Sequence, residues 1–486
     1  MKKIIIFIAF LCLFTMGNFA QKKYEPTWAS LDSRPVPEWF RDARLGIFIH
    51  WGVYSVPSWA PKGEYSEWYW AQLRNDKPDG PWKAFHNRVY GKDYPYELFA
   101  PHFTAELFNP DKWAGLFKQS GAKYVVLTSK HHDGFALWPA PGCKDWNSVE
   151  VGAKRDLLGE LTNSVRNKGL RMGYYYSLHN WYDKDYAPAD PEGPRNITKY
   201  VDEIMMPQMK DLVNKYKPSL IFTDGEWTAS SDDFKSKDFL TWLYNESEAP
   251  SDVIVNDRWG TETRGYHGGY LTSEYGLVDL KGTPLNEERV WEECRGIGAS
   301  FGYNRNEAVE DYFTRKQVIH LLIDIVSRGG NLLLNVGPTA DGRIPPIMED
   351  RLQALGSWLE VNGEAIYNTR KWTTTGEGPT PREKGIAQSK SSKEATEYTG
   401  KDIRYTVSKD GKNLYAIVLG WPQDKIELKS LNLKGGKGTV SLLGSAKNVS
   451  YRTGNQGKLI IDVSGFKTKD LPCEHAFVFR LTGFTF

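Results

Sequence analysis

The chain has 486 residues, enough for a barrel-sized domain and a smaller second one. A formal net charge of +2, with 40% hydrophobic and 25% charged residues, indicates a globular protein and excludes the basic surface of a nucleic-acid-binding protein. The unusual feature is the presence of 18 Trp, 26 Tyr and 22 Phe, which suit either a large buried core or the binding of sugar rings.

Residues 1–20 are predicted to be a secretory signal peptide. Two lysines precede an apolar run, Ile4–Met16, that is too short to span a membrane, and cleavage is expected after Ala20. We therefore expect an exported chain without a membrane anchor, in the periplasm or outside the cell. An odd number of cysteines remains after cleavage, so at least one thiol is free: Cys143, Cys294 and Cys473.

Residues 21–370 are predicted to form a catalytic (β/α)8-like TIM barrel. Amphipathic helices are indicated over 156–168, 198–215, 313–327 and 347–361. Apolar runs between and around them indicate buried parallel strands at 46–51, 124–129, 170–177, 220–224 and 253–257, with further strands near 291–295 and 331–336. These account for six or seven strands, and strand–helix alternation at this length favours a closed barrel.

Residues 371–486 are predicted to form a C-terminal antiparallel β-sandwich packed against the barrel. Helical periodicity stops near Tyr367, and a polar stretch runs from Thr373 to Asp402. Short alternating runs follow at 403–408, 413–421, 438–444, 458–465 and 475–483, with Lys409-Asp410-Gly411 between the first two as a hairpin turn. This pattern is typical of a small sandwich of short strands.

Polar and aromatic residues follow the apolar bodies of five predicted strands. In a parallel barrel the carboxyl ends of the strands meet on one face, where functional loops lie. We therefore predict the functional site at that face. The five strand ends are His50–Gly52, Lys130–Gly134, Tyr174–Tyr176, Asp224–Trp227 and Asn256–Trp259.

Asp224 is the main catalytic candidate, because it ends a buried apolar strand and its carboxylate is expected to point into a cleft. A carboxylate in that position can attack an anomeric carbon, although a structural salt bridge or helix cap is the alternative interpretation. A second carboxyl group is then needed as acid and base. The candidates are Glu274, in the loop after the fifth strand, and Glu292 or Glu293 further on.

The histidines His50, His131 and His132 are interpreted as hydrogen-bonding groups rather than metal ligands. Adjacent histidines diverge from an extended backbone, and no H-E-x-x-H or Cys/His spacing is present. No glycine-rich phosphate loop follows any predicted strand. We therefore expect no metal and no cofactor.

Several blocks at these strand ends together resemble glycoside hydrolase family 29, the α-L-fucosidases. The blocks run from about Trp39 to Tyr367 in the order of that family. They are WFRDARLGIFIHWGVYSVPSW, EYSEWYW, KYVVLTSKHHDGFALW, LIFTDGEW, VWEECRGIGASFGYNRNE and SRGGNLLLNVGPTADGRIP. The resemblance implies an exo-α-L-fucosidase that cleaves fucosylated oligosaccharides or glycoconjugates with retention, through a covalent glycosyl-enzyme and without a metal.

The resemblance also implies roles for individual residues. Asp224 matches the family nucleophile, Glu274 fits an acid/base loop of several members, and Glu292 is the second candidate for that role. Arg258 matches an arginine near the active centre, and Phe222 stands where many members carry Trp. Phe301 and Phe222 are candidates for the contact with the C6 methyl group of fucose. The residues that match the holders of the fucose ring are His50, Glu67, Trp68, His131, His132 and Tyr175.

Other functions stay open at this point. An apolar pocket discriminates only modestly against one added hydroxyl, so the related sugar L-galactose is an alternative substrate. A second alternative is an exported sugar-binding protein whose barrel has no catalytic activity. A third alternative is a zinc-dependent hydrolase. The oligomeric state is not indicated by the sequence.

Overall fold

A computed structural model describes residues 23–187, 196–276, 289–380, 386–435 and 438–485. The predicted signal peptide, 1–20, lies outside the described residues. Within them, no helix is both long and apolar enough to cross a membrane. All three cysteines after the predicted signal peptide are free thiols.

The N-terminal part is built on a curled sheet of eight parallel strands. Their order across the sheet is β5-β4-β3-β2-β1-β8-β7-β6, and all seven neighbouring pairs are parallel. The strands are β1 (Leu45–Ile49), β2 (Tyr124–Lys130), β3 (Arg171–Ser177), β4 (Leu220–Asp224), β5 (Ile254–Val255), β6 (Leu271–Glu274), β7 (Trp291–Gly296) and β8 (Asn331–Val336).

Helices alternate with most of these strands and cover the outside of the sheet, as predicted. The helix predicted at 198–215 is continuous through a π-helical turn, Val201–Met205. The helices are α1 (Trp28–Leu31), α2 (Glu38–Ala43), α3 (Tyr69–Asn75), α4 (Pro81–Val89), α5 (Pro110–Gln119), α6 (Leu157–Asn167), α7 (Ile197–Tyr200), α8 (Met206–Tyr216), α9 (Ser236–Asn245), α10 (Arg315–Ser327) and α11 (Pro346–Asn362).

Side chains along each strand alternate between two apolar layers. Phe48, Tyr175 and Phe222 pack together inside the curled sheet, whereas their neighbours Ile47 and Ile221 pack in the larger core under the helices. This alternation follows from the two-residue period of a strand. A residue that follows one of these inner residues by two or four positions, just beyond the end of its strand, is therefore also expected to point to the inner face.

The predicted barrel is confirmed as a (β/α)8-like fold, with one correction to the strand count. Six or seven strands are predicted from the sequence, and the sheet has eight because Leu271–Glu274, interpreted as a loop, is a strand. No ladder joins β5 to β6 among the described residues, so the sheet is open there. A loop, residues 256–270, replaces the usual helix between these two strands.

The C-terminal part is an antiparallel β-sandwich, as predicted. A five-stranded sheet, β13-β16-β11-β10-β9, faces a three-stranded sheet, β12-β15-β14, across a shared apolar core. Three of its strands, β9, β12 and β14, were missed by the sequence analysis. The strands are β9 (Thr369–Glu377), β10 (Ile403–Ser408), β11 (Asn413–Val418), β12 (Lys425–Leu428), β13 (Thr439–Leu442), β14 (Ser450–Thr453), β15 (Leu459–Asp462) and β16 (Phe477–Thr482).

The sandwich packs on the barrel through α10. A buried ion pair joins Asp324 of α10 to Arg404 of β10, with Oδ1 and Nε 2.7 Å apart. The predicted hairpin turn is present, since the Gly411 N–H donates to the Ser408 carbonyl at 2.8 Å. The predicted division after residue 370 falls inside β9 and stays a prediction.

Candidate active site

A cavity of about 320 Å³ opens at the carboxyl ends of the barrel strands. This volume lies in the range of small-molecule sites. All predicted site residues except Glu292 and Glu293 line it. The lining residues are Phe48, His50, Tyr65, Glu67, Trp68, His131, His132, Tyr175, Phe222, Asp224, Trp227, Arg258, Arg264, Glu274, Cys294 and Phe301.

Asp224 ends β4 and is held at the floor of this cavity. It lies two residues after Phe222, so the strand alternation aims it at the inner face. Gly225 then turns the chain away at φ +80°, and a Cβ there would lie 2.6 Å from the Cβ of His179. The Tyr175 hydroxyl donates to Asp224 Oδ2 at 2.9 Å, and Arg258 Nη1 donates to Oδ1 at 2.7 Å.

The carboxylate form of Asp224 is favoured by these contacts. Burial raises the pKa of Asp224, but the charge of Arg258 and the hydrogen bonds from Arg258 and Tyr175 outweigh it, so the pKa lies below its ordinary value. An ionised carboxylate that lines the cavity is the state that a nucleophile requires.

Arg258 bridges Asp224 to a second carboxylate. Its other terminal nitrogen, Nη2, donates to Glu274 Oε2 at 3.1 Å, and its Nε donates to Thr272 Oγ1 at 3.0 Å. The Arg258 side chain is only 3% exposed, compared with 13% for Asp224 and 23% for Glu274. The single buried guanidinium therefore holds two partly exposed carboxylates, and both of them line the same cavity.

Glu292 lies deeper in the barrel and does not line the cavity. In the register of β6 and β7, Glu274 is level with Cys294, which lines the cavity, and Glu292 is two residues earlier on β7. Glu292 accepts a hydrogen bond from the Tyr124 hydroxyl, and burial raises the pKa of Glu292 to about 8. Glu293, the remaining candidate, accepts from the Gly276 N–H at 2.8 Å and is also absent from the lining.

Two of the predicted histidines are oriented by neighbours that accept hydrogen bonds. His50 Nδ1 donates to Asn335 Oδ1 at 2.7 Å, because the amide of Asn335 already donates through its nitrogen to the Phe301 carbonyl. His132 Nδ1 lies 2.6 Å from Ser177 Oγ, which itself donates to a backbone carbonyl. Each imidazole then has an unprotonated Nε2, an acceptor for a sugar hydroxyl.

The imidazoles of the cavity are neutral. Burial lowers the pKa of His50 to about 4 and lowers the pKa of His131 and His132 well below the ordinary value. His131 stacks on Tyr175 with ring centroids 5.4 Å apart and an interplanar angle of 10°. Such neutral groups are suited to hydroxyl groups rather than to anions.

Glu67 and Trp68 enter the cavity from the segment that follows β1. Glu67 Oε2 accepts from the Gly302 N–H at 2.8 Å and from Ser300 Oγ at 3.2 Å, and burial raises the pKa of Glu67 to about 7. The ring of Trp68 meets that of His132 edge-on at 5.3 Å. Both residues are thus fixed by contacts with loops of other strands.

Aromatic rings lie beside the polar groups of the cavity, and the guanidinium of Arg258 lies 5.0 Å above the Phe222 ring. Phe222 packs against Phe48 at 5.0 Å, and Phe301 lies against His50 at 4.8 Å between ring centroids. Five lining residues have no predicted role, although Trp227 belongs to the predicted strand end at Asp224 and Tyr65 lies in the EYSEWYW block. The five are Phe48, Tyr65, Trp227, Arg264 and Cys294.

The site combines two carboxylates, bridged by one arginine, with neutral imidazoles and aromatic rings at the carboxyl ends of a parallel (β/α)8-like sheet. This combination defines a glycoside hydrolase. Among the described residues, no group of three or more His, Cys, Asp or Glu side chains is arranged to hold a metal ion.

Comparisons with known proteins identify the family. Residues 11–364 match the α-L-fucosidase family model, and residues 396–482 match the model of the α-L-fucosidase C-terminal domain. The human tissue α-L-fucosidase is 40% identical over 95% of this chain and 92% of its own, and an α-L-fucosidase of Dictyostelium discoideum is 40% identical over 99% of both. The crystal structure of Thermotoga maritima α-fucosidase aligns with a TM-score of 0.77 and 37% identity, over 95% of this chain and 100% of that one. The chain therefore belongs to the α-L-fucosidase family, which confirms the resemblance found in its sequence.

Proposed function

We propose that this chain hydrolyses terminal α-L-fucosyl residues of glycans with retention, using Asp224 as nucleophile and Glu274 as acid and base. The observation that carries the proposal is the bridge of Arg258 between the two carboxylates, at 2.7 and 3.1 Å. A retaining glycosidase needs a pair of close carboxyl groups on one sugar. Glu274 is preferred to Glu292 because only Glu274 lines the cavity.

The reaction follows from these positions in two steps. Asp224 forms a bond to the anomeric carbon while the bond to the leaving oxygen breaks. Glu274, in its protonated form, donates a proton to that oxygen and becomes a carboxylate. The Glu274 carboxylate then removes a proton from water, whose oxygen attacks the anomeric carbon and displaces Asp224. Two inversions give fucose with its original configuration.

Recognition of fucose combines hydroxyl binding with an apolar contact. His50 and His132 accept hydroxyl protons through Nε2, because their pKa values are lowered by burial and their Nδ1 atoms are engaged. Phe222 and Phe301 supply the surface for the C6 methyl group. An added C6 hydroxyl costs about 1–3 kcal/mol in such a pocket, so the aryl L-galactoside should be turned over more slowly than the aryl L-fucoside.

The nucleophile is tested with Asp224→Gly and an aryl α-L-fucoside. The wild type should release the phenol, the variant should lose nearly all turnover, and external azide should restore phenol release with formation of an inverted fucosyl azide. A folded variant that keeps substantial turnover without azide would falsify the role of Asp224. A folded wild type that binds fucose without hydrolysing any fucoside would instead indicate a sugar-binding protein.

The acid/base is tested by comparing Glu274→Gln with Glu292→Gln as its matched control. Both glutamates lie on neighbouring strands, but only Glu274 lines the cavity. Glu274→Gln should lower kcat/KM by about 10²–10⁴-fold for alkyl or sugar leaving groups and far less for an activated aryl leaving group. A leaving-group-dependent loss in Glu292→Gln, and not in Glu274→Gln, would reverse the assignment.

We also propose that the chain is exported to the periplasm or beyond. The basic and apolar N-terminal residues and the expected cleavage after Ala20 support this. Expression of the full chain in a bacterial host should give a mature protein that begins at Gln21 in the periplasmic fraction. Recovery of uncleaved chain in the cytoplasm would contradict export.

A further inference from the structure

Trp227 and Arg264 are lining residues of the cavity with a large exposed fraction. Trp227 is 44% exposed and the Arg264 side chain 35%. By contrast, the histidines assigned to fucose are buried, with His50 at 4% and His132 at 1%. Trp227 and Arg264 therefore lie at the mouth of the cavity.

The mouth is where the leaving group of an exo-acting glycosidase must lie. The fucosyl residue occupies the enclosed end of the cavity, and the remainder of the glycan extends towards solvent. A leaving sugar has a CH-rich face and a rim of hydroxyl groups, so an aromatic ring and a hydrogen-bond donor are the groups that can hold it.

Trp227 is held at its inner side by other rings. Its centroid lies 6.1 Å from that of Trp68 with an interplanar angle of 23°, and the ring of His132 meets it edge-on at 5.5 Å. His179 contributes a third ring at 6.0 Å. Nearly half of the Trp227 surface still remains open to a ligand.

Arg264 lies beside a buried carboxyl group, that of Glu226, whose pKa is raised by burial to about 7. Arg264 belongs to the loop, residues 256–270, that replaces the helix between β5 and β6, and its Nη1 lies 3.7 Å from Glu226 Oε1. The Glu226 side chain is 5% exposed, and none of the described residues donates a hydrogen bond to its Oε2. Glu226 directly precedes Trp227, so one short turn carries the ring and also places a carboxyl group next to the guanidinium.

We infer that Trp227 and Arg264 form the subsite for the departing hexopyranose, and that Glu226 is the positioning residue for Arg264. The indole face packs on the CH face of that sugar, and the guanidinium donates to its hydroxyl groups. This inference rests on the proposed function, because it assigns the leaving-group side of the same reaction.

The subsite is tested with two substrates that differ only in the leaving group. In α-L-fucosyl fluoride the leaving group is too small to contact either residue, whereas a fucosyl-galactose disaccharide fills the mouth. Trp227→Ala and Arg264→Gln should each lower kcat/KM for the disaccharide, relative to the fluoride, by about tenfold or more, as expected for the loss of a charged hydrogen bond or a ring contact. Tyr266→Ala is the matched control, since this 54% exposed residue of the same loop does not line the cavity.

Equal losses on both substrates in folded Arg264→Gln, or no loss on the disaccharide, would overturn the subsite. Arg264 is partly exposed, so this variant serves if Trp227→Ala fails to fold. If the wild type hydrolyses neither substrate, the proposed function fails instead, and the two failures are thereby distinguished.

The positioning role of Glu226 is tested by a double-mutant cycle. Glu226→Gln should lower the disaccharide-to-fluoride ratio in the same direction as Arg264→Gln. If Glu226 acts through Arg264, the double variant should have a ratio no lower than that of Arg264→Gln alone. Additive losses, or equal losses on both substrates in Glu226→Gln, would overturn the positioning role.

Discussion

Replacing Arg258 by methionine removes the cation that bridges Asp224 and Glu274 while keeping most of the side-chain volume. Arg258 and Asp224 are both largely shielded from solvent, so water screens their attraction little. Breaking a buried ion pair by removing one partner costs about 3–5 kcal/mol. We therefore expect Arg258→Met to lower the free energy of unfolding by about 3–5 kcal/mol near neutral pH.

The pH dependence of this loss follows from the pKa of Asp224. In the wild type the pKa in the folded state is lower than the ordinary value of 3.8, so the carboxylate contributes stability above that value and loses it as the pH falls through the folded-state pKa. In Arg258→Met, burial raises the pKa without an opposing guanidinium. The same carboxyl group then destabilises the fold near neutral pH and ceases to do so once protonated. The stability difference should therefore be largest near neutral pH and shrink towards acid pH.

The assay measures thermal unfolding, and kcat/KM for an aryl α-L-fucoside, from neutral to acid pH. The acid limb of kcat/KM should move to higher pH in Arg258→Met, because an ionised nucleophile is required. Arg404→Met is the matched control: it breaks a buried ion pair with Asp324, away from the cavity, and should destabilise the protein without moving the acid limb. A stability difference independent of pH, with an unmoved acid limb, would refute the electrostatic role of Arg258.

Two further predictions concern residues that position the site, and a third concerns the zinc-dependent alternative. Asn335→Leu should raise KM for the fucoside by about tenfold, because His50 loses the acceptor that fixes its tautomer, and steady-state kinetics would show no such rise if His50 is oriented otherwise. Gly225→Ala should lower stability by about 1–3 kcal/mol and impair kcat, since its φ of +80° and the contact with His179 leave no room for a Cβ; a melting temperature equal to that of the wild type would contradict this. Dialysis against a chelator should leave kcat/KM unchanged, and a loss restored by zinc would favour the zinc-dependent alternative.

Much of the fold was predictable because its signals are local. Strands buried on both sides are continuously apolar, and the strand ends carry the polar residues, so the barrel and the face of the site could be predicted from short windows. The strand Leu271–Glu274 was missed because it is short, contains polar residues and follows a loop instead of a helix. The alternating polar residues of Thr369–Glu377 concealed the first strand of the sandwich in the same way.

The resemblance in the sequence favoured Glu274 over Glu292, but the position of each acidic residue relative to the cavity required the tertiary structure. Asp224 and Glu274 lie 34 residues before and 16 residues after Arg258, and the curvature of the sheet brings all three together. The register of β6 and β7 then sets Glu274 at the cavity and Glu292 one layer deeper. A one-dimensional pattern contains neither curvature nor register, because both depend on the packing of distant strands.

The sequence by itself therefore determined the fold class, the family and the residues Asp224, His50, His131 and His132 at the strand ends. The tertiary structure showed that Glu274 lines the cavity with Asp224 whereas Glu292 does not, and it alone placed Glu226 next to Arg264 at the mouth of the cavity. The physical reason is that local apolar patterning fixes each strand and its end, whereas charge pairing across a site depends on distances between segments that are far apart in the chain.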